Sequence, residues 1–227
     1  HLLDEHCDLI VHEWQLKPRF LKPDQFSAYR FAEADAIADM ARAHGKKLHG
    51  HTLFWHHEPI RWAESTSFSA VRRRYGGFIR DVVSHYGDFD SWDVMNEIAE
   101  EKTVLRPEFL LDRFGYDFID FCFRTAHETA PHARPVLNDY NLECVDRFCD
   151  DKRANMLAIL QQLKAMGTPV HALGIQSHLS SRWKPGLDTT ADFIARVADL
   201  GFDVYISELD VNDIDFADDI ATRDRQV

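Results

Sequence analysis

The 227-residue sequence lacks several features that would assign it to a common class of protein. No apolar run approaches the roughly 18 residues that cross a bilayer, so we expect no membrane partner. Basic residues are the minority, 26 against 38 acidic ones, and the net charge of −12 argues against a nucleic-acid partner. The first residues do not show the basic and then apolar pattern of a signal peptide, which a mature secreted protein would have lost.

Cysteine is also scarce, with four residues, and no two of them have the spacing of a zinc finger or a CxxC motif. Cys7 and Cys122 lie in apolar runs and are interpreted as small buried hydrophobic residues. Cys144 and Cys149 are close in sequence and could be bridged or free. Cysteine usage therefore does not identify the redox compartment.

The sequence does contain short apolar runs that alternate with longer helix-like stretches. The predicted strands are Cys7–Glu13, Lys47–Phe54, Ser91–Glu97, Arg134–Asp139, His171–His178 and Asp203–Val211. The predicted helices are Ala32–His44, Ala70–His85, Leu110–Thr129, Lys152–Met166 and Thr190–Leu200. This alternation predicts the α/β class, with a parallel sheet and right-handed crossovers, in a single domain over residues 1–227.

Two architectures fit such an alternation, an open doubly wound sheet and a closed (β/α)8 TIM barrel. A doubly wound nucleotide-binding protein would carry a glycine-rich turn after its first strand, and no predicted strand is followed by one. In TIM barrels, polar functional residues gather at the C-terminal ends of several strands, and this sequence has that pattern. We therefore predict the barrel.

The polar residues at these strand ends are predicted to point into the barrel, because side chains alternate along a strand. The sets that share a face are His49, His51, Leu53 and Trp55; Asp93, Met95 and Glu97; Gln176 and His178; and Ile206, Glu208 and Asp210. Unpaired buried carboxylates are costly, so these groups must be paired, hydrogen-bonded or solvated in a cleft. An ion-pair network that only fixes strand register is the alternative, but convergence at four strand ends favours a functional site.

Two of these carboxylates, Glu97 and Glu208, are far apart in sequence but could face each other across the barrel mouth. Opposed carboxyl groups are suited to glycoside hydrolysis, in which one protonates the leaving oxygen and the other acts at the oxocarbenium-like carbon. A separation of roughly 5–5.5 Å would indicate retention of configuration, and roughly 6.5–9.5 Å would indicate inversion.

Five segments resemble the family 10 glycoside hydrolases, the endo-β-1,4-xylanases. They are HGHTLFWH at 49–56, WDVMNE at 92–97, NDYN at 138–141, GIQSHL at 174–179 and YISELDV at 205–211, in the order of the family. The resemblance runs from about Cys7 to Val211. It implies a retaining endo-β-1,4-xylanase that acts on xylan or xylo-oligosaccharides by double displacement and needs no cofactor and no metal.

The resemblance also implies a role for individual residues. Glu97 matches the general acid/base and Glu208 the nucleophile. The matching support residues are Asn96, which holds the nucleophile side and the sugar 2-hydroxyl, His178, which bonds the nucleophile, and Asp93 and Asp210, which orient that histidine. The matching substrate-binding residues are Gln176, His51 and Trp55 around the innermost subsites, and Glu13 and Lys17 at the next sugar on the non-reducing side.

The sequence departs from the family in two ways. Trp14 and Pro18 stand where the family usually has Asn and Trp, which changes the expected contacts at the second glycone subsite. Only six strands are predicted, so we expect the sequence to be a fragment that lacks the first βα unit before His1 and the last one after Val227. A complete barrel is expected to be a monomer.

Three alternatives remain open. A β-1,4-glucan-active glycosidase of the same fold would differ in the crowding around the sugar C5 position. A non-catalytic sugar-binding barrel would bind xylan without turnover. A metal-dependent barrel hydrolase could use His49, His51, His178 and Asp210 as ligands. The polymeric substrate implies a secreted or periplasmic protein.

Overall fold

The computed structural model describes residues 5–180 and 186–212, in which parallel strands alternate with helices. The strands are β1 (Leu9–Val11), β2 (Lys47–His51), β3 (Ser91–Asn96), β4 (Arg134–Asp139), β5 (Ala172–Ile175), β6 (His178–Ser180), β7 (Asp203–Ile206) and β8 (Asp210–Asn212). The helices are α1 (Pro18–Leu21), α2 (Ala32–Ala43), α3 (Phe68–His85), α4 (Phe109–Thr129), α5 (Arg147–Ala165) and α6 (Leu187–Asp199), with a 3-10 turn at Arg61–Ala63. Within these ranges, no helix combines the length and the apolarity needed to cross a bilayer.

The main sheet has six strands in the order β1-β2-β3-β4-β5-β7, and every neighbouring pair is parallel. A second, two-stranded parallel sheet pairs β6 with β8 just beyond the ends of β5 and β7. The carboxyl ends of all six main strands therefore meet at one edge. This confirms the prediction of a (β/α)8 barrel topology, of which the described residues contain six adjacent strands.

The helices pack on the sheet through amphipathic faces. On α3, Val71, Tyr75, Phe78, Ile79 and Val82 recur at helical spacing and are all buried. The helix α4 begins where the side chain of Glu108 accepts hydrogen bonds from the backbone N–H groups of the first turn. These faces cover the outer side of the sheet and leave the strand ends free for polar residues.

Glycine at position 50 is required by the packing of the sheet. A Cβ on Gly50 would lie 2.1 Å from the indole ring of Trp92, the next strand's buried tryptophan. The indole also stacks on Phe89 with ring centroids 5.1 Å apart. The HGH segment therefore presents its two histidines on one face of β2 while its glycine admits the tryptophan on the other.

Several predicted strands end earlier than the sequence pattern indicated. Glu97 and Ser177 have φ values of +59°, outside the strand region, so β3 ends at Asn96 and β5 ends at Ile175. His178 consequently lies in β6 rather than on the same strand as His171, and Glu208 lies in the connection between β7 and β8. The polar alternation that we interpreted as strand continues into the loops that line a cleft.

The alternation within β3 is also broken. The register with β4 shifts between Asp93 and Met95, which is a bulge. The prediction that Asp93, Met95 and Glu97 share a face is therefore wrong, and Asn96 joins Glu97 on the side of the cleft.

Candidate active site

A cleft of about 460 Å³ opens at the carboxyl ends of the strands. Its lining is Val11, His12, Glu13, Lys17, His51, Trp55, Asn96, Glu97, Gln176, His178, Ser207, Glu208 and Asp210. Every site residue predicted from the sequence lines this cleft except Asp93, which is buried beneath it. The residues predicted from strand ends and those implied by the resemblance therefore lie together in one cleft, and their roles there stay predictions.

Glu97 follows β3 directly and is held on both its backbone and its side chain. Its backbone N–H donates to the carbonyl of Asn138 at 2.8 Å, and its own carbonyl accepts from Nε of Arg106 at 2.7 Å. Its Oε1 accepts from Nε2 of Gln176 at 3.2 Å and from Nδ2 of Asn96 at 3.4 Å. A non-glycine residue in the left-handed region is uncommon and is typical of functional sites where the surroundings fix the backbone.

Glu208 lies on the opposite side of the cleft, in the loop between β7 and β8. Its Oε1 accepts a hydrogen bond of 2.6 Å from Nδ2 of Asn138. Its Oε2 lies 3.3 Å from Nε2 of His178. Its backbone N–H donates to the carbonyl of Gln176 at 3.1 Å, which fixes the loop against the end of β5.

A chain of side-chain amides connects the two carboxylates. Nδ2 of Asn138 donates both to Glu208 and, at 3.0 Å, to Oδ1 of Asn96. The same Asn96 oxygen accepts from Gln176 at 3.2 Å, and Gln176 also donates to Glu97. The two carboxylates are therefore positioned relative to each other by three amide groups from β3, β4 and the end of β5.

No role was predicted for Asn138, although it begins the NDYN segment at 138–141 that resembles the family. The signal that could have found it is the one used elsewhere, a polar residue at the carboxyl end of a predicted strand. Gly174 on β5 makes room for it, since a Cβ there would lie 2.2 Å from Oδ1 of Asn138. Oδ1 of Asn138 also accepts a hydrogen bond from Oγ of Ser207 at 2.6 Å. This contact orients the amide so that Nδ2 faces Glu208.

His178 lies between two carboxylates. Its Nδ1 is 3.1 Å from Asp210, and its Nε2 faces Glu208. Burial by itself would lower the pKa of His178, but the hydrogen bond and charge of Asp210, together with Glu208, raise it above the ordinary value. The predicted role of Asp210, to orient this histidine, agrees with these contacts.

The expectation that Asp93 also orients His178 is wrong. Asp93 pairs with β2, where its Oδ2 lies 2.8 Å from Nδ1 of His51 and 3.1 Å from Nε2 of His49. The reason is register, because β2 aligns His51 with Asp93, whereas His178 lies beyond β5.

Burial would raise the pKa of Asp93, but His49 and then His51 lower it to about 2. Burial would likewise lower the pKa of His51, but Asp93 raises it.

Trp14, which departs from the family pattern, lies next to the wall formed by Glu13, Lys17 and Trp55. Nζ of Lys17 lies 4.6 Å from the ring centre of Trp55 and 4.7 Å from that of Trp14. Such distances are typical of cation–π contacts. Trp14 is 44% exposed, so its indole lies at the rim and holds the lysine from outside.

A polar cluster behind Glu97, partly buried, was not predicted from the sequence. Arg106, which bonds the Glu97 carbonyl, also donates to Oε2 of Glu100 at 2.9 Å and to the hydroxyl of Tyr140 at 2.8 Å. Lys152 and Asp139, both fully buried, are paired at 2.7 Å, and the ammonium lies 3.3 Å from the Tyr140 ring centre. Burial raises the pKa of Asp139, and Lys152 opposes this.

The metal ligand set considered from the sequence does not converge. His49 and His51 face Asp93, while His178 contacts Asp210 through one ring nitrogen and Glu208 through the other. A different group lies at the cleft, since single ligand atoms of His56, His57 and Glu97 are all within 4.8 Å of one another. Burial, then Arg106 and His57, lower the pKa of His56 to about 4, so that its imidazole is neutral at pH 7.

The four cysteines are divided between a bridge and two thiols. Cys144 and Cys149 form a disulfide next to the start of α5, with their Cα atoms 5.8 Å apart. Cys7 and Cys122 are free, and Cys122 is buried as predicted, whereas Cys7 is only partly buried.

Comparison with known proteins gives one family. The sequence model described as glycosyl hydrolase family 10 matches residues 1–226. The β-1,4-xylanase of Dictyoglomus thermophilum is 35% identical over 215 residues, which cover 93% of this chain and 59% of that protein. Exoglucanase XynX of Acetivibrio thermocellus is 30% identical over 226 residues, which cover 93% of this chain and 20% of that protein.

Among solved structures, a similar one is the intracellular xylanase of Thermoanaerobacterium saccharolyticum, as a variant in complex with xylotetraose. It superposes with a TM-score of 0.88 at 29% identity, covering 99% of this chain and 72% of that one. The chain thus spans about three fifths of the Dictyoglomus relative and one fifth of the Acetivibrio one.

Proposed function

The chain belongs to glycosyl hydrolase family 10, and on that premise we propose a retaining endo-β-1,4-xylanase in which Glu208 is the nucleophile and Glu97 the acid/base. The observation that carries this proposal is the chain of amides from Asn96, Asn138 and Gln176 that connects these two carboxylates in one cleft. Paired carboxylates held in this way are the machinery of glycoside hydrolysis.

In the first step, an oxygen of Glu208 attacks the anomeric carbon while Glu97 gives its proton to the departing glycosidic oxygen. The bond to the leaving sugar breaks and a glycosyl ester of Glu208 forms. The hydrogen bonds donated by Asn138 and His178 orient the Glu208 carboxylate for this attack. The donors from Asn96 and Gln176 both reach Oε1 of Glu97, so its Oε2 is the oxygen available to carry the proton.

In the second step, Glu97 acts as a base. It removes a proton from a water molecule that attacks the anomeric carbon, and Glu208 leaves as a carboxylate. Two inversions at the same carbon give net retention. The left-handed backbone of Glu97 is fixed by Asn138 and Arg106, so the same carboxyl can serve both steps without moving far.

The substrate is proposed to be xylan or xylo-oligosaccharides, bound along the wall of Glu13, Lys17 and Trp55, with His51 and Gln176 near the reacting sugar. The aromatic and charged character of this wall suits the apolar faces and hydroxyl groups of a sugar chain. The complex of a similar solved enzyme with xylotetraose supports this substrate class. Another relative is named exoglucanase XynX, so β-1,4-glucan is the competing substrate.

A secreted or periplasmic location is part of the proposal. The Cys144–Cys149 disulfide supports it, because such bonds persist in oxidising compartments. A monomer without nucleic-acid or membrane partners also remains a prediction.

The test combines product analysis with a choice of substrate. Proton NMR of the first products released from xylo-oligosaccharides should show the β-anomer before mutarotation, and Glu208→Ala should release none. An α-anomer as first product would contradict retention. Faster release of reducing ends from cellulose or mixed β-1,4-glucan than from xylan would favour the glucanase. Saturable xylan binding without release would favour the sugar-binding barrel.

A further inference from the structure

We propose that His56, His57 and Glu97 form a binding site for a divalent transition-metal ion such as Zn²⁺. The ion would bind to Oε2 of Glu97, the oxygen that faces the cleft. This oxygen could then no longer carry the proton that hydrolysis needs. Metal binding follows from the geometry alone, whereas the inhibition rests on the proposed function of Glu97.

The ligand atoms are already close to coordinating positions. Nδ1 of His56 lies 3.8 Å from Oε2 of Glu97, and one ring nitrogen of His57 completes a group within 4.8 Å. Zinc bonds of about 2.0–2.1 Å in a tetrahedral site place neighbouring ligand atoms about 3.4 Å apart. His57 is an exposed residue in a turn, and its ring centre lies 4.0 Å from that of His56, so the group closes by reorientation of the His57 ring.

The atoms that would bind the ion are not occupied by stronger partners. Nδ1 of His56 is buried and has no hydrogen-bond partner. Both amide hydrogen bonds to Glu97 end on Oε1, which leaves Oε2 facing the two histidines. The nearby cation Arg106 is paired with Glu100 at 2.9 Å, which offsets part of the repulsion between its charge and a bound cation.

The ligand types select the class of ion. Two imidazoles with one carboxylate suit zinc, copper or nickel, whereas magnesium and calcium prefer oxygen ligands. Three protein ligands at the edge of an open cleft leave a fourth position for water, as in other three-ligand zinc sites. The second candidate group, His51, Asp93 and Glu208, differs because Asp93 is already shared by two histidines.

Calorimetric titration with ZnCl₂ tests the site directly. His57→Ser should weaken one zinc-binding event by at least about 10-fold, since loss of even an outer-shell partner costs about that much. The matched control is His132→Ser, an exposed histidine away from the cleft, which should bind zinc like the parent chain. Equal zinc affinity in His57→Ser and the parent chain would overturn the proposal.

Inhibition is measured separately, with each variant's rate on xylan compared with its own rate without metal. Zinc should inhibit the parent chain and His132→Ser, and EDTA should restore their activity. Zinc should inhibit His57→Ser much less. Zinc bound through His57 without any inhibition would overturn the blocking of Glu97. If the chain hydrolyses no glycan at all, the proposed function fails while the calorimetry still decides the metal site.

Discussion

The two halves of the cleft are built differently. Glu97 lies among β2 to β5, where its side chain is 11% exposed and is surrounded by buried amides. Glu208 lies beside β6 to β8, where its own side chain is 28% exposed and those of His178 and Asp210 are 46% and 63% exposed. Glu97, the proposed acid/base, is therefore fixed by the interior of the sheet, whereas Glu208, the proposed nucleophile, depends on a few donors that reach across to it.

The edges of the sheet account for this difference. Leu9 and Val11 on β1 and Ile206 on β7 are exposed, and a cavity of about 570 Å³ lies between these two edges. Neither edge strand has a second partner among the described residues of the main sheet. We therefore expect most substitutions around Glu97 to lower activity strongly. Substitutions around Glu208 are expected to lower activity by graded amounts.

The largest effect on activity is expected from removal of the carboxyl group of Glu208, the proposed nucleophile. Glu208→Ala should reduce kcat on xylan by at least about 10⁴-fold, because no other group forms the covalent intermediate. Reducing-end assays measure this loss, with Glu33→Ala, an exposed glutamate on α2, as the control. Residual activity within tenfold of the parent chain would remove Glu208 from this role.

Removal of the acid/base should have an effect that depends on the substrate. Glu97→Ala should slow xylan hydrolysis by about 10²–10⁴-fold, whereas aryl xylobiosides with good leaving groups need little protonation and should be affected far less in the first step. Steady-state and pre-steady-state rates on both substrate types measure the contrast. Equal losses on both types would show that Glu97 does not protonate the leaving group.

The amide bridge is the connection between the two halves. Asn138→Ala removes the 2.6 Å hydrogen bond to Glu208, and hydrogen bonds to charged groups contribute about 1.5–3 kcal/mol, so we expect kcat to fall by about 10- to 100-fold. Ser207→Ala leaves this donor in place and should have a smaller effect. An unchanged kcat in Asn138→Ala would show that the bridge does not position the nucleophile.

The smallest expected effect is on pH dependence in the exposed half. Asp210→Asn removes a charge that raises the pKa of His178, so the imidazolium is lost at lower pH and the alkaline limb of kcat/KM should move to lower pH. The raised pKa means that this pair stabilises the fold below the ordinary histidine pKa and loses its contribution as pH rises through the raised value. At the pH optimum the rate should fall less than about fivefold, because exposed ion pairs contribute up to about 1 kcal/mol.

The control for this pH shift is a similar pair outside the cleft. His171 and Asp203 lie 2.9 Å apart with comparable exposure, so Asp203→Asn removes one carboxylate from a similar histidine contact. Its activity profile should match that of the parent chain. If both variants move the alkaline limb equally, the shift reports general surface charge and not His178.

Strand ends and side-chain alternation were enough to predict part of the candidate site, and the resemblance to the family added Glu13, Lys17 and Asn96. The strand ends placed Glu97, Glu208, Gln176 and His178 at one edge of a parallel sheet, and the cleft contains all four. They could not give the contact of Asp93 with His51, because it depends on the register between β2 and β3. Nor could they give the ends of β3 and β5, where Glu97 and Ser177 adopt left-handed backbones. Such features arise from contacts between strands that are distant in sequence.

The cluster behind Glu97 was missed for another reason. Lys152 occupies the apolar face of α5, at helical spacing from Met156, Ile159 and Leu163, and all are buried. A charged residue at a core position of an amphipathic helix was an available signal for a buried ion pair. Its partner Asp139 could only be identified from the fold.

The most direct test of the account is to trap the covalent intermediate. The chain is incubated with a 2-fluoro xylobioside that carries a good leaving group, digested, and mapped by mass spectrometry. The account predicts one glycosyl adduct, on the peptide that contains Glu208. An adduct on the peptide that contains Glu97, or none in a chain that hydrolyses xylan, would contradict it.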